Sequence, residues 1–423
     1  MINHLPRPDA AMPDSAQAHA PQALDPAPSP RASPTKRIFI STGEVSGDLH
    51  GSLLIKALQQ HAAVANITLE IAALGGERMA ATGVNMLGDT EAIGSVGLLE
   101  SVPFIWPTYK VQQIAKRWLK QHPPDLIVMI DYFAPNLGIG HFMRQQFPNI
   151  PAVFYIGPQE WVWSLGNRNT KQLVSIIDHL LAIFPAEAEY YRNNGAAVTW
   201  VGHPLVDWVQ QFPRREQARQ LLGIPPEQQA IALFPASRQQ ELIHLMPVIF
   251  ETARRLQQQL PQIHFWIPLA LESYRDKVEQ AIQDYGLNAT LVTDNTPAVI
   301  AAADLALTKS GTVNLELTLM DVPQIVLYRV HPITAWVANH VLRFSIPFMS
   351  PTNLMLMEAV VPEFLQEQAN PEALTQAAFT LLTDANARQT MQQQYQQVRA
   401  ALGEPGVCDR AAQVILKMFL CQA

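Results

Sequence analysis

The sequence predicts an α/β protein made of two doubly wound parallel sheets that face one another across a cleft. Three observations carry this expectation. The 423 residues exceed what one ordinary hydrophobic core organises. Apolar runs of strand length, nearly continuous as in buried parallel strands, recur between amphipathic stretches. The rhythm halts at a polar, proline-bearing stretch over 210–216 and then begins again. The chain therefore divides into a Pro/Ala-rich tail over 1–35, one α/β unit over 36–212 and a second over 213–423.

Taken in order, the tail has no hydrophobic period and reads as disordered. Asp9, Asp14 and Asp25 argue against a transit leader, and no apolar signal core is present. The first unit opens with a strand over 37–42, followed by a helix over 48–60 with Leu49, Leu53, Leu54, Ala57 and Leu58 at helical spacing. Further strands are expected over 68–74, 126–130, 152–156, 179–183 and 198–201. The second unit is expected to place strands over 230–234, 264–267, 290–292, 305–308 and 324–328. Its helices fall over 239–259 and 313–320.

Composition narrows the function. A net charge of −7 leaves no clustered cations for phosphate backbones, so nucleic acid is not an expected partner. Two cysteines, Cys408 and Cys421, are too few for a disulfide framework or a cysteine zinc site, and a reducing cytoplasm fits. The longest apolar stretches have strand length and fall short of the ~20 residues of a membrane-spanning helix.

Open α/β sheets bind ligands at the carboxyl ends of their strands. Four such junctions carry informative residues. After the first strand, Thr42-Gly43-Glu44-Val45-Ser46-Gly47-Asp48-Leu49-His50-Gly51 is neither a dinucleotide fingerprint nor a P-loop. Ser46 or Asp48 can serve as a helix cap, but capping does not account for Glu44, Ser46, Asp48 and His50 together. Asp131, at the end of the apolar run 126–130, is a candidate general base. The alternative is a cap on the helix near Pro135, where Asn136 also sits. Trp161 and Trp163, beside Glu160, suit either a sugar or acyl surface or the core. His203 reads equally as a buried hydrogen-bonded histidine or a ligand contact. In the second unit, Pro235-Ala236-Ser237-Arg238 offers a guanidinium at a helix start, and Ser310-Gly311-Thr312 repeats that arrangement. Glu316, one turn into its helix, is placed to accept from ribose hydroxyls, or else is an exposed helical carboxylate.

Those motifs, in order and spacing, resemble the lipid-A-disaccharide synthase family. The match runs through the GEVSGDLHG turn, the Asp131–Asn136 loop, Trp161-x-Trp163, Val201-Gly202-His203-Pro204 and Ser237-Arg238-x-x-Glu241. It continues through Ser310-Gly311-Thr312-x-x-Leu315-Glu316, Tyr328-Arg329-Val330 and Val361-Pro362-Glu363-Phe364-Leu365-Gln366, covering about 37–415. The resemblance implies a glycosyltransferase-B fold. It implies an inverting transfer of 2,3-diacylglucosamine from UDP to 2,3-diacylglucosamine 1-phosphate, giving a β-1,6 disaccharide, without a bound metal or other cofactor. By the same resemblance Asp131 is catalytic, and Glu44, Ser46 and Asp48 lie on the acceptor side, where Asn136, Trp161 and His203 are also expected. Arg238, Ser310, Gly311, Thr312 and Glu316 lie at the donor nucleotide. The implied setting is the inner face of the cytoplasmic membrane, touched peripherally by a homodimer. Phe104, Ile105, Trp106 and the run 344–349 are candidates to meet acyl chains or the membrane, with core packing as the alternative for each.

The chain departs from the family at several positions. Ala134 stands in place of a second aspartate, Ala236 in place of a glycine, and Met357-Glu358 in place of Gly-Arg. Gly157-Pro158-Gln159-Glu160 and Ser164 also differ. Two rival readings follow. One is another UDP-sugar enzyme of this fold, such as a UDP-N-acetylglucosamine 2-epimerase; the other is a non-catalytic glycolipid-binding paralogue.

Overall fold

The computed structural model describes residues 34–90, 105–162, 167–236, 239–329 and 348–420. Most of the N-terminal tail, Phe104, Trp163, Arg238 and the run 344–347 lie outside the described residues.

The first sheet contains β1 (Thr35–Ser41), β2 (Thr68–Gly75), β3 (Asn85–Asp89), β4 (Leu126–Ile130), β5 (Ala152–Tyr155), β6 (His179–Ala182) and β7 (Val198–Trp200), in the order β3-β2-β1-β4-β5-β6-β7. The second contains β8 (Gln229–Phe234), β9 (Ile263–Pro268), β10 (Ala289–Val292), β11 (Leu305–Lys309), β12 (Gln324–Tyr328) and β13 (Glu363–Leu365), in the order β10-β9-β8-β11-β12-β13. Every pairing is parallel. Each order reverses beside its first strand, at β1/β4 and at β8/β11, and these are the points where doubly wound sheets open crevices for ligands.

The inner strands are apolar along their whole length because helices cover both faces. All five residues of β4 and all four of β5 are buried. Two strands escaped the sequence reading. Asn85–Asp89 is a half-exposed edge strand of mixed polarity, and Glu363–Leu365 is only three residues long. The helix expected over 239–259 is two helices, Gln239–His244 and Met246–Gln259. Pro247 occupies the first turn of the second, where its missing N–H costs nothing.

The chain ends by crossing back. After the helix Ala385–Leu402, the final helix Val407–Leu420 packs on Val45–Val64 of the first unit, with Val407, Ala411, Ala412 and Ile415 fully buried. Asp207, from the short helix Leu205–Trp208, accepts from the N–H groups of Gly406, Val407 and Cys408 and so caps that last helix across the chain. His203 N–H donates to the Leu402 carbonyl. Gly202, at φ +92°, permits this approach, since a Cβ there would lie 2.9 Å from the same carbonyl oxygen.

Met357 is half-exposed at φ 55°, just past the helix Pro351–Leu356. That left-handed conformation is one glycine favours, and here a methionine adopts it.

Candidate active site

The first wall of the cleft lies at the carboxyl ends of β1, β4 and β5. Four non-glycine residues there hold positive φ: Glu44 at 86°, Asp131 at 47°, Tyr132 at 45° and Ile156 at 65°. Such conformations cost about 1–3 kcal/mol each and persist where the surroundings impose them. At Asp131 the cause is visible. The buried Asn136 amide donates to the carbonyls of Ile130 at 3.2 Å and Asp131 at 2.8 Å, and its own oxygen accepts from Ser41 Oγ at 2.8 Å. The Asp131 N–H is taken by the Tyr155 carbonyl. The Tyr132 ring then lies on Gly43, where a Cβ would come within 2.2 Å of Cδ1. Gly43 is therefore required by the ring of the neighbouring turn.

Asp131 does not cap the helix that follows, Phe133–Gln146; Tyr132 stands at the cap position, and the helix has no side-chain cap hydrogen bond. Burial raises the Asp131 carboxyl above its ordinary value, opposed by a hydrogen bond from the Tyr132 backbone. A base that holds its proton more tightly than a solvated carboxylate is a stronger acceptor. Glu44 sits on the same rim, near enough for its charge to raise the Tyr132 hydroxyl. Ser46 lies half-buried in the first turn of Val45–Val64.

Other expected residues are committed within the protein. Asp48 is buried and accepts from Gly76 N at 2.7 Å, Arg78 N at 2.9 Å and Met79 N at 3.1 Å, so it anchors the helix Glu77–Ala80. His203 is buried and accepts from Leu205 N through Nδ1. Its ring packs against His50 at 5.6 Å and Phe184 at 5.5 Å, and Phe184 meets Trp161 at 5.6 Å. Burial lowers His50 to about 4 and His203 well below its usual value, so both rings are neutral at pH 7. Trp161 Nε1, His50 Nδ1, Thr42 Oγ1, Tyr155 OH and Glu160 Oε2 are buried without a hydrogen-bond partner among the described residues. Buried polar atoms normally find partners.

Sequence reasoning missed Glu187. This fully buried carboxylate accepts from Gly157 N at 2.7 Å through one oxygen, and from Ile183 N at 2.8 Å and Phe184 N at 3.2 Å through the other. It ties the loop after β5 to the turn after β6.

The second wall lies at β11. Ser310 Oγ donates to the Met349 carbonyl at 2.6 Å, and Gly311 N–H donates to Asn314 Oδ1 at 2.8 Å. Both groups, expected to face phosphate, thus hold the loop. Thr312 opens the helix Val313–Leu319. The Asn314 amide donates to the Lys309 carbonyl and to Gln324 Oε1, both at 3.1 Å. Glu363, inside a motif noted from sequence, accepts from Ser350 N, Met349 N and Asn353 Nδ2 and so fixes the turn that Ser310 touches. Glu316 is half-buried, and one oxygen accepts from Trp208 Nε1 at 2.9 Å. Burial pushes its carboxyl up to about 7, resisted by the indole N–H and by the Arg78 charge.

This geometry can be set beside known proteins. The family model for lipid-A-disaccharide synthetase matches residues 38–418, spanning both sheets and the returning helix. The chain belongs to the lipid-A-disaccharide synthetase family. A lipid-A-disaccharide synthase from Gloeothece citriformis is 54% identical over 380 residues, covering 90% of this chain and 99% of the relative. One from Synechocystis is 51% identical over 383 residues, covering 90% and 97%. Among solved structures, the S. aureus MnaA–UDP complex superposes with a TM-score of 0.62 at 14% identity, covering 92% of this chain and 98% of that one. That likeness shows the glycosyltransferase-B fold, and the family match makes this member a glycosyltransferase of lipid A biosynthesis.

Proposed function

We propose that the chain transfers 2,3-diacylglucosamine from its UDP conjugate to the 6-hydroxyl of 2,3-diacylglucosamine 1-phosphate, with Asp131 as the base. The acceptor oxygen attacks the anomeric carbon from the face opposite the diphosphate. As the new C–O bond forms, Asp131 takes the hydroxyl proton and the bond to UDP breaks, its electron pair leaving with the phosphate oxygen. Glu316 accepts from the ribose hydroxyls, and Arg238 with Thr312, on the loop that Ser310 and Gly311 hold in place, receives the diphosphate charge. The unit over 36–212 holds the acceptor and that over 213–423 the nucleotide sugar; Glu44, Ser46 and Trp161 flank the acceptor.

The observation that carries this reading is Asp131 itself. It is a carboxylate with a raised proton affinity, held in a strained turn at the switch point β1/β4 by a buried asparagine. The test is an assay of purified protein with UDP-2,3-diacylglucosamine and 2,3-diacylglucosamine 1-phosphate, following UDP and disaccharide together. Equal release of both is expected; UDP binding with no disaccharide would sink the reading.

Peripheral membrane contact belongs to the same proposal. Among the described residues no helix is long and apolar enough to cross a membrane. The helix Ile105–Gln121 instead leaves Ile105 and Trp106 each 63% exposed, with Trp106 stacked on the exposed Tyr109 at 5.7 Å. Lys110 lies over the Trp106 ring, and Lys116, Arg117 and Lys120 follow on the same helix. Interfacial aromatics beside lysines suit an anionic bilayer surface. The double variant Trp106→Ala/Tyr109→Ala should sediment about tenfold less with phosphatidylglycerol vesicles while its circular dichroism is unchanged; undiminished sedimentation would remove this helix from the contact. A homodimer is proposed on the resemblance alone.

A further inference from the structure

Glu316 must be ionised to accept two hydroxyl protons from a ribose diol, yet it lies half-buried in a cleft that favours its neutral form. The carboxylate is met there by a residue of the other unit. Trp208, on the short helix Leu205–Trp208, donates Nε1–H to Glu316 Oε1 at 2.9 Å, across 108 residues of sequence. The second oxygen, Oε2, accepts no hydrogen bond among the described residues. The indole is itself held. The Arg78 guanidinium lies 5.6 Å from its ring centroid, and Phe212 packs edge-on at 5.5 Å. Arg78 in turn rides on the helix Glu77–Ala80, whose first N–H groups are fixed by Asp48.

We propose that Trp208 is a positioning residue for the donor site: its indole N–H holds Glu316 Oε1 as a carboxylate oxygen, leaving Oε2 to take the ribose diol of a bound uridine diphosphate. Arg78, carried by the Asp48-anchored helix, holds the indole and adds its charge. The inference rests on the donor-site reading of Glu316 and adds a residue from the acceptor-side unit to it. It also gives Asp48 a function at a distance, since its carboxylate fixes the turn from which Arg78 reaches the cleft.

The other charged groups on elements packed against the Glu316 helix are engaged elsewhere. Arg399 bonds the Thr318 and Leu319 carbonyls and Asp321. Asp207 caps the last helix, Lys309 pairs with Glu241, and the Tyr395 hydroxyl bonds the Val322 carbonyl. Among the described residues Arg78, which lies over the Trp208 ring, also acts on Glu316 directly by its charge, in the direction that keeps the carboxylate ionised.

The experiment is calorimetric titration of the full chain with UDP across the pH range on either side of the Glu316 midpoint. Comparing variants at the same pH cancels the titration of UDP itself. A hydrogen bond to a charged group is worth about one pH unit of midpoint. Trp208→Phe, which keeps the ring and removes the N–H, should therefore bind UDP about tenfold more weakly below the midpoint, the difference vanishing at alkaline pH where Glu316 is ionised in both. Arg78→Gln should move the affinity profile in the same direction by less. An equal loss at every pH would mean that Trp208 only supports the fold, and no loss would mean that it does nothing for the site; either overturns the inference. Glu316→Gln separates the two levels. If it binds UDP as well as the wild type, the donor-site reading itself fails; if it binds weakly while Trp208→Phe does not, only the role of Trp208 falls.

Discussion

Asp131→Asn should lower kcat by about 10³-fold, close to 4 kcal/mol of transition-state stabilisation, while UDP binds as before. The substitution keeps the shape of the side chain and removes its ability to accept a proton in the transition state. The strained turn should survive, because the groups that impose it are the Asn136 amide, the Tyr155 carbonyl and the Tyr132 ring over Gly43. The pH profile supplies a second measurement. Burial raises the Asp131 carboxyl, and a base works only when deprotonated, so kcat at saturating substrate should fall as pH drops through that raised value. The variant should lack this limb. A residual rate within tenfold of wild type, with the acid limb intact, would assign the proton transfer to another group. On the ribose-binding role proposed for Glu316, its limb would appear in kcat/KM and be absent from kcat, and the two carboxylates can be told apart.

Glu187→Ala should destabilise the protein by about 3 kcal/mol, seen as a lower urea midpoint, and should depress activity with it. The carboxylate is the shared acceptor of three buried backbone N–H groups, and alanine leaves all three unpaired in a site without solvent access. Gly157 would lose the contact that fixes the loop after β5, and Tyr155 of that strand is the backbone partner of Asp131. Glu187 also gives stability a pH dependence. Burial raises its carboxyl from 4.5 to about 8, against the pull of the Ile183, Gly157 and Phe184 N–H groups. The folded state therefore holds this proton more tightly than the unfolded chain. Its stabilising share is complete below the unfolded value and is lost as pH climbs toward and through 8. Glu187→Gln carries no proton to lose and should flatten the decline of the urea midpoint between neutral and alkaline pH. A wild type whose midpoint does not fall over that range would contradict the assignment.

The contrast between these two residues shows what the sequence discloses. Asp131 was legible because it terminates a strand as apolar as Leu126–Ile130, and the carboxyl end of such a strand faces a crevice whatever else the fold does. Glu44 stands in the turn that follows β1, and Glu316 lies one turn into the helix that follows the Ser310-Gly311-Thr312 loop after β11. Glu187 sits at the third position of an unremarkable helix, and its importance comes from an N–H group 30 residues earlier. Trp208 is paired across 108 residues, a distance over which no local pattern operates. The anchoring that Asp48 provides has no local signal either, since the N–H groups it holds lie beyond β2. The strand frame followed the same logic. Continuous apolar runs announced the inner strands, whereas Asn85–Asp89 and Glu363–Leu365 form by adding to an existing edge and leave almost no mark on composition.

The returning helix Val407–Leu420 bears on how the chain comes to be folded. Strands β1 to β7 and the helix Val45–Val64 are complete within the first half of the chain, but the surface that meets Val407, Ala411, Ala412 and Ile415 is uncovered until the other end arrives. Asp207 likewise waits for the N–H groups of Gly406, Val407 and Cys408. During vectorial synthesis the leading unit therefore emerges with a bare apolar face, and closes it only after the trailing unit has left the ribosome. Truncation within the helix Ala385–Leu402 removes packing from the second unit and the whole of the returning helix from the first, so a messenger cut short there yields two unfinished domains where a simple tandem would have spared one.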